Sequence, residues 1–282
     1  MDFTGKRVMV TGNEGFIGWA LELALAHQSA EVWEYDILRG CDVLNHAQLR
    51  HFIEVNEIEL VYHLAAQAHV PIANRYPFGT LQTNIMGTLN VLDICDQLKI
   101  PVIIASSDHA YGEAATGFMV DTPLNARYPY DVSKACADKI AQVYQERGAD
   151  VKIMRLCNVY GPGDTGRHRL IPHVISSYLR GERPTLRGNP DMIREWIYID
   201  DAVQAYIDAA GEQRNIIAVA GQRLSVGQVV ECILSKMGGE IPVIRDNVRQ
   251  EINNLVFAEA GHNLTPFSDG IDRTIAWWRE TV

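Results

Sequence analysis

The chain has 282 residues, 47% hydrophobic and 21% charged, which suits a folded globular protein with one large α/β unit and a smaller attached lobe. A formal net charge of −10 argues against a general nucleic-acid binder, which needs a concentrated positive surface, and no apolar run approaches the length of a membrane span. Five scattered cysteines without a CxxC pair argue against a disulfide framework and a zinc site, so no metal centre is expected.

The opening "MDFTGKRVMVTG" leads straight into a strand, without the segments of a signal peptide, and a cytoplasmic protein is expected. Next comes "VMVTGNEGFIG", with Gly12, Gly15 and Gly18 in GxxGxxG spacing around Phe16 and Ile17, followed by the helical run "FIGWALELALAHQ". Glycines after a first strand allow a tight turn and close backbone approach to a pyrophosphate, which the helix N-terminus then attracts. The following strand "EVWEYD" ends in Asp36, 18 residues beyond Gly18. A carboxylate there can accept hydrogen bonds from an adenosine ribose and repels a 2′-phosphate, which favours NAD over NADP. Glu14, inside the phosphate loop, must point its carboxylate outward.

Up to about residue 160, short β-rich runs ("LVYHLAA", "PVIIASS", "VKIMRLCNVYG") alternate with helical segments ("AQLRHFIEVN", "TLQTNIMGTLNVLDICDQL", "SKACADKIAQVYQERG"). Continuous apolar strands separated by crossover helices predict a Rossmann-type doubly wound parallel sheet over residues 1–160. Residues 161–282 are punctuated by Pro and Gly ("GPGDTG", "LRGNPDM") and predict a smaller C-terminal substrate-binding lobe, with segments near 194–220 returning to the main sheet.

The fourth long strand runs into "ASSDHAYG", with Ser106, Ser107, Asp108 and His109 side by side. A polar turn closing a strand accounts for such a cluster, and so does a site, because ligands of parallel sheets bind at the carboxyl ends of strands. Ser106 is read as a turn-capping hydroxyl. Beyond it, "YPYDVSK" sets Tyr130 and Lys134 four residues apart, on one helix face. A nearby ammonium lowers the pKa of a phenol and makes it a usable base.

These motifs, with "YHLAAQAHV", "TNIMGTLNVLD", "RLCNVYGPGD", "REWIYIDD" and "DGIDRTIAWWRE" in order, resemble the extended short-chain dehydrogenase/reductase superfamily. The branch is that of NAD-dependent nucleotide-sugar 4-epimerases, 4,6-dehydratases and decarboxylases. The resemblance implies NAD held along the sheet edge and a nucleoside-diphosphate sugar gripped by the C-terminal lobe; charge and hydropathy lead to no expected nucleic-acid or membrane partner. It also implies a homodimer through helices near residues 81–98 and 131–147, although packing on the chain's own sheet explains the same apolar residues.

By the same resemblance, Ser107 bonds the sugar's 4-oxygen beside Tyr130. Asp42 and Val43 contact adenine, and Leu64, Ala65, Ala66 and Asn84 line NAD. Cys157 lies beside the nicotinamide and Asn158 near the substrate phosphates. Arg194 and Arg249 bind the pyrophosphate, a task suited to guanidinium groups. Around Arg249 the wording departs from the family's "RPGD". His69 has two readings, a sugar contact or a packed structural histidine.

The pair after the catalytic serine separates the branches. Dehydratases carry Asp followed by Glu or Lys; here Asp108 fills the acid position, and His109 offers an imidazole with a pKa near about 6.5 as base. A 4,6-dehydratase is therefore expected, closest in wording to the CDP-glucose 4,6-dehydratases. Two alternatives stay open: a 4-epimerase in which His109 shapes the substrate site, and a non-catalytic NAD-binding regulatory protein, against which the retained Ser107, Tyr130 and Lys134 argue.

Overall fold

A computed structural model describes residues 1–112, 117–239, 244–246, 257 and 264–281. The chain divides into two compact units. The first comprises residues 1–112, 120–156 and 203–219, and the second comprises 113–119, 157–202 and 220–282.

The first unit begins with strand β1 (Arg7–Thr11), helix α1 (Phe16–His27) and β2 (Glu31–Tyr35), followed by α2 (His46–Val55) and β3 (Leu60–His63). Short helices α3 (Val70–Arg75) and α4 (Pro77–Leu81) lead through a π-helical turn at Gln82–Met86 into α5 (Gly87–Leu98) and β4 (Val102–Ser107). After a 3-10 turn at Asp108–Tyr111 come α6 (Pro129–Glu146) and β5 (Val151–Leu156). Proline at the first position of α6 suits a helix start, where its missing N–H is no loss.

The second unit holds β6 (Asn158–Tyr160), α7 (Leu170–Leu179), β7 (Thr185–Arg187) and β8 (Ile193–Tyr198). Helix α8 (Ile199–Ala209) then carries the chain back to the first unit, where β9 (Ile216–Val219) joins the sheet. The remaining elements, β10 (Gln222–Ser225), α9 (Val226–Met237), β11 (Ile244–Asp246) and α10 (Phe267–Thr281), belong to the second unit.

The main sheet has six strands in the order β2-β1-β3-β4-β5-β9, every pair parallel. From β1 the chain steps to β2 on one side and then to β3 on the other. This reversal leaves a crevice at the carboxyl ends of β1 and β3, the usual ligand position in such sheets. Met9, Val61, Val102 and Val151 form one row across the sheet. They pack into a buried cluster with Leu49 and Ile53 of α2, Val91 and Cys95 of α5, and Ala141 of α6. Each fully buried aliphatic side chain there contributes about 1.5–3 kcal/mol, so the core fixes the strand ends that carry the polar residues.

In the second unit β8 is the middle strand of a three-stranded sheet, antiparallel to β10 and parallel to β6. Its apolar run therefore builds this sheet, and the return to the main sheet starts at Val203. Tyr160, Trp196, Tyr198 and Phe267 pack against one another beneath it. A capping box between Ser225 and Gln228 starts α9, and Gly238 in the left-handed region ends it. Among the described residues, no helix is long and apolar enough to cross a membrane.

Candidate active site

The glycine loop is shaped by contacts that no side chain would permit. Gly12 has φ +74°, and a Cβ there would stand 2.7 Å from the backbone nitrogen of Ala65. A Cβ on Gly18 would strike the Gly12 carbonyl and come within 2.8 Å of the Asn13 Cα. The loop is thus pressed against the end of β3 on one side and the start of α1 on the other. The exposed Gly15 donates its N–H to Gly12, and Phe16 and Ile17, half-buried, open the helix. This is the cradle a dinucleotide pyrophosphate requires at a helix N-terminus, and the residues present fit NAD.

Asp36 is buried at the end of β2, its carboxylate accepting the N–H of Leu38 at 2.9 Å and that of Glu14 at 3.3 Å. The Glu14 carboxylate points outward to Arg39, at 2.6 Å, and Arg39 also reaches Glu34 at 2.6 Å. Glu14 thereby gains an account the sequence did not give: it ties the phosphate loop to the turn after Asp36. Asp42 accepts the N–H of Leu44, and Val43 is buried, its carbonyl held by Asn90.

Replacing Gly18 by Ala forces backbone apart in this cradle. Overpacking of this kind costs about 1–3 kcal/mol, roughly a tenfold to hundredfold weakening of NAD binding. NAD content after purification, measured beside a melting curve, checks it; full retention at parent affinity would show that the loop does not hold the cofactor.

A buried hydrogen-bond chain runs from the loop to α6. Thr11 Oγ1 meets His63 Nδ1 at 2.8 Å, and His63 Nε2 meets Thr88 Oγ1 at 3.1 Å. Thr88 donates to the Asn84 carbonyl, Asn84 donates to Ser133 Oγ at 2.8 Å, and Ser133 donates to the Tyr130 carbonyl at 2.6 Å. Because Thr88 spends its proton on Asn84, His63 donates from Nε2 and accepts at Nδ1. Burial pushes its pKa down to about 3 and keeps it neutral. Asn84, 1% exposed, also exchanges two bonds with the Gln67 backbone. It pins the loop of Leu64, Ala65 and Ala66 to α6. His69, exposed, caps the start of α3 through its backbone.

At the end of β4 the capping role expected of Ser106 falls to Ser107. Ser106 does not cap the turn: its hydroxyl donates to Asp138 on α6 at 2.6 Å. The cap is Ser107, which accepts the His109 N–H at 3.2 Å and donates to Asp108 Oδ1 at 2.9 Å. Asp108, 2% exposed, accepts that same His109 N–H at 2.8 Å. The His109 ring sits edge-on to Tyr130, centroids 5.7 Å apart, and its Nδ1 lies 2.9 Å from Asp131 Oδ1. Asp131 escaped the sequence reading, although it stands inside "YPYDVSK".

Lys134, 7% exposed, donates to the Ala105 carbonyl at 2.8 Å from the same helix as Tyr130. Burial pushes its pKa down to about 8, opposed by the negative charge of Asp138. The first unit thus gathers Ser107, Asp108, His109, Tyr130 and Lys134 between the end of β4 and the first turns of α6. Three other residues picked from sequence lie in the second unit: Cys157, which is buried, Asn158, whose amide donates to the Glu195 carbonyl at 3.1 Å, and Arg194 on β8. Arg249 lies outside the described residues.

Comparison with known proteins identifies the family. CDP-glucose 4,6-dehydratase of Salmonella typhimurium is 31% identical over 239 residues, 73% of this chain and 66% of that enzyme. The crystal structure of dTDP-glucose 4,6-dehydratase from Streptomyces venezuelae, with NAD bound, matches with a TM-score of 0.85 and 25% identity over 97% of each chain. UDP-N-acetylglucosamine 4-epimerase from Methanobrevibacter ruminantium matches with a TM-score of 0.89 and 26% identity, over 99% of this chain and 100% of that one. The model of the NAD dependent epimerase/dehydratase family matches residues 8–227, across the glycine loop, the β4 end and the Tyr130 helix, and the chain belongs to that family.

Proposed function

We propose that the protein is an NAD-dependent NDP-sugar 4,6-dehydratase. The observation that carries this reading is the Ser107-Asp108-His109 turn: an epimerase needs only the hydroxyl and the phenol, whereas this turn adds a buried carboxyl and an imidazole beside Tyr130. Gly12, Gly15, Gly18 and Asp36 would hold NAD, which would supply the hydride acceptor for carbon 4 and the donor for carbon 6. Tyr130 takes the proton of the 4-hydroxyl, with Lys134 favouring its phenolate and Ser107 bonding the 4-oxygen. The resulting ketone acidifies the hydrogen at carbon 5, which His109 removes. The electron pair of that bond forms the carbon 5–carbon 6 double bond, and the carbon 6–oxygen bond breaks as Asp108 protonates the leaving hydroxyl to water. The proton held by His109 exchanges with solvent, and His109 then protonates carbon 5. The proton taken first by Tyr130 must end on Asp108, and Ser107, hydrogen-bonded to Asp108, is the hydroxyl suited to relay it. Asn158, Arg194 and Arg249 are assigned to the nucleotide diphosphate and Cys157 to the nicotinamide side.

The similarity to UDP-N-acetylglucosamine 4-epimerase favours a second reading, a 4-epimerase in which His109 contacts the sugar without proton transfer. A panel of CDP-, UDP-, dTDP- and GDP-hexoses in deuterated water separates the two. The dehydratase loses one water and gains deuterium at carbon 5; an unchanged product mass with carbon 4 inverted establishes the epimerase. Pairing of two copies through the helices near residues 81–98 and 131–147 belongs to the same proposal, supported by the exposed Met86 beside Leu81 and Ile85.

A further inference from the structure

We infer that Asp131 is a positioning residue that makes Nε2 of His109 the basic atom of the site, a role resting on the dehydratase reading above. The carboxylate can only accept, so at 2.9 Å from Nδ1 it fixes the proton on Nδ1 and the lone pair on Nε2. Asp131 is 2% exposed on its side chain and His109 26%, so the bond lies largely out of water, where the carboxylate best stabilises the imidazolium formed on accepting a proton. The backbone is held as well: the His109 N–H goes to Asp108 Oδ1 and Ser107 Oγ, so the imidazole, the acid and the serine move as one turn. Edge-on packing against Tyr130 sets the ring plane, with 73° between the two rings. The carboxylate that orients the base thus follows directly after the phenol that performs the first proton transfer.

A bland role competes with this one. Asp131 stands in the first turn of α6, where an acidic residue favours the helix dipole. Stability alone would respond to that role; the partition between the two chemical steps would not. With CDP-glucose and dTDP-glucose in deuterated water, His109→Ala and Asp131→Asn are each expected to slow deuterium entry at carbon 5 at least about tenfold. Formation of enzyme-bound NADH should change by less than about threefold. Asp131→Glu should recover part of the exchange, and the double variant should be no slower than His109→Ala alone, since both residues act through one group. Exchange at the parent rate in Asp131→Asn, or losses that multiply in the double variant, would overturn the assignment. Should the variants not fold, 15N labelling of histidine in the parent decides: a proton on Nδ1 is expected, and a proton on Nε2 alone sinks the role. A parent that inverts carbon 4 with neither water loss nor carbon 5 deuterium refutes the dehydratase reading and this role with it. A parent that eliminates while Asp131→Asn keeps pace refutes the role alone.

Discussion

Tyr130→Phe is expected to retain NAD and fold normally, yet to lose formation of enzyme-bound NADH by about 10²- to 10⁴-fold on addition of an NDP-hexose. The side chain is half-buried at the first turn of α6 and the loss is a single hydroxyl, so packing is disturbed little. The chemical consequence is large because the described groups around it are assigned other tasks, His109 among them, whose imidazole is proposed to act at carbon 5. Lys134 is committed to the Ala105 carbonyl and serves as a charge. Ser107 is committed to Asp108 and has no means of becoming a base at neutral pH. Single-turnover fluorescence of NADH reads the step directly, before elimination and before release. Parent-rate NADH formation in Tyr130→Phe would remove the phenol from the mechanism.

Much of this arrangement was legible because local geometry writes itself into local sequence. The spacing of Gly12, Gly15 and Gly18 answers to a loop in which a Cβ would strike backbone, and only glycine meets that demand. The i, i+4 spacing of Tyr130 and Lys134 follows from the helix, and the apolar runs of β3, β4 and β5 from strands covered on both faces. What was not legible depends on residues far apart in the chain. Ser106 and Ser107 are neighbours of one type, and only the approach of α6 separates the hydroxyl that meets Asp138 from the one that caps the turn. Likewise the contact between His109 and Asp131 spans 22 residues and exists because the turn after β4 packs on α6. Asn84 matches a cofactor-lining position by its motif, and its amide bonds to Gln67 and Ser133 depend on partners 17 and 49 residues away. The run in β8 is apolar enough for either sheet, and composition does not say which one it joins.

The largest expected loss of stability comes from Asp138, and it reaches the chemistry too. Asp138 is fully buried and accepts from Arg155 Nε and Nη2 at 2.8 Å each, from Ser106 at 2.6 Å and from Gln142 at 2.6 Å. Arg155, itself 2% exposed, also donates to Tyr111 and to the Val120 carbonyl at 2.7 Å. Removing one partner of such a pair strands the other charge out of water, at a cost of about 3–5 kcal/mol. Asp138→Ala should therefore lower the urea midpoint sharply, and Asp138→Ala with Arg155→Met should lose less than the sum of the singles, because the stranded guanidinium is gone. Strict additivity would contradict a coupled pair. Asp138 also sits one turn beyond Lys134, and its charge raises the lysine pKa against the burial that brings it down to about 8. Without that carboxylate the lysine pKa falls further, and at pH 8 most of the ammonium, proposed above to favour the Tyr130 phenolate, is lost. Where the variant still folds, its NADH-forming step should decline at a lower pH than the parent's; an unchanged pH profile would show that Asp138 supports the fold without tuning Lys134.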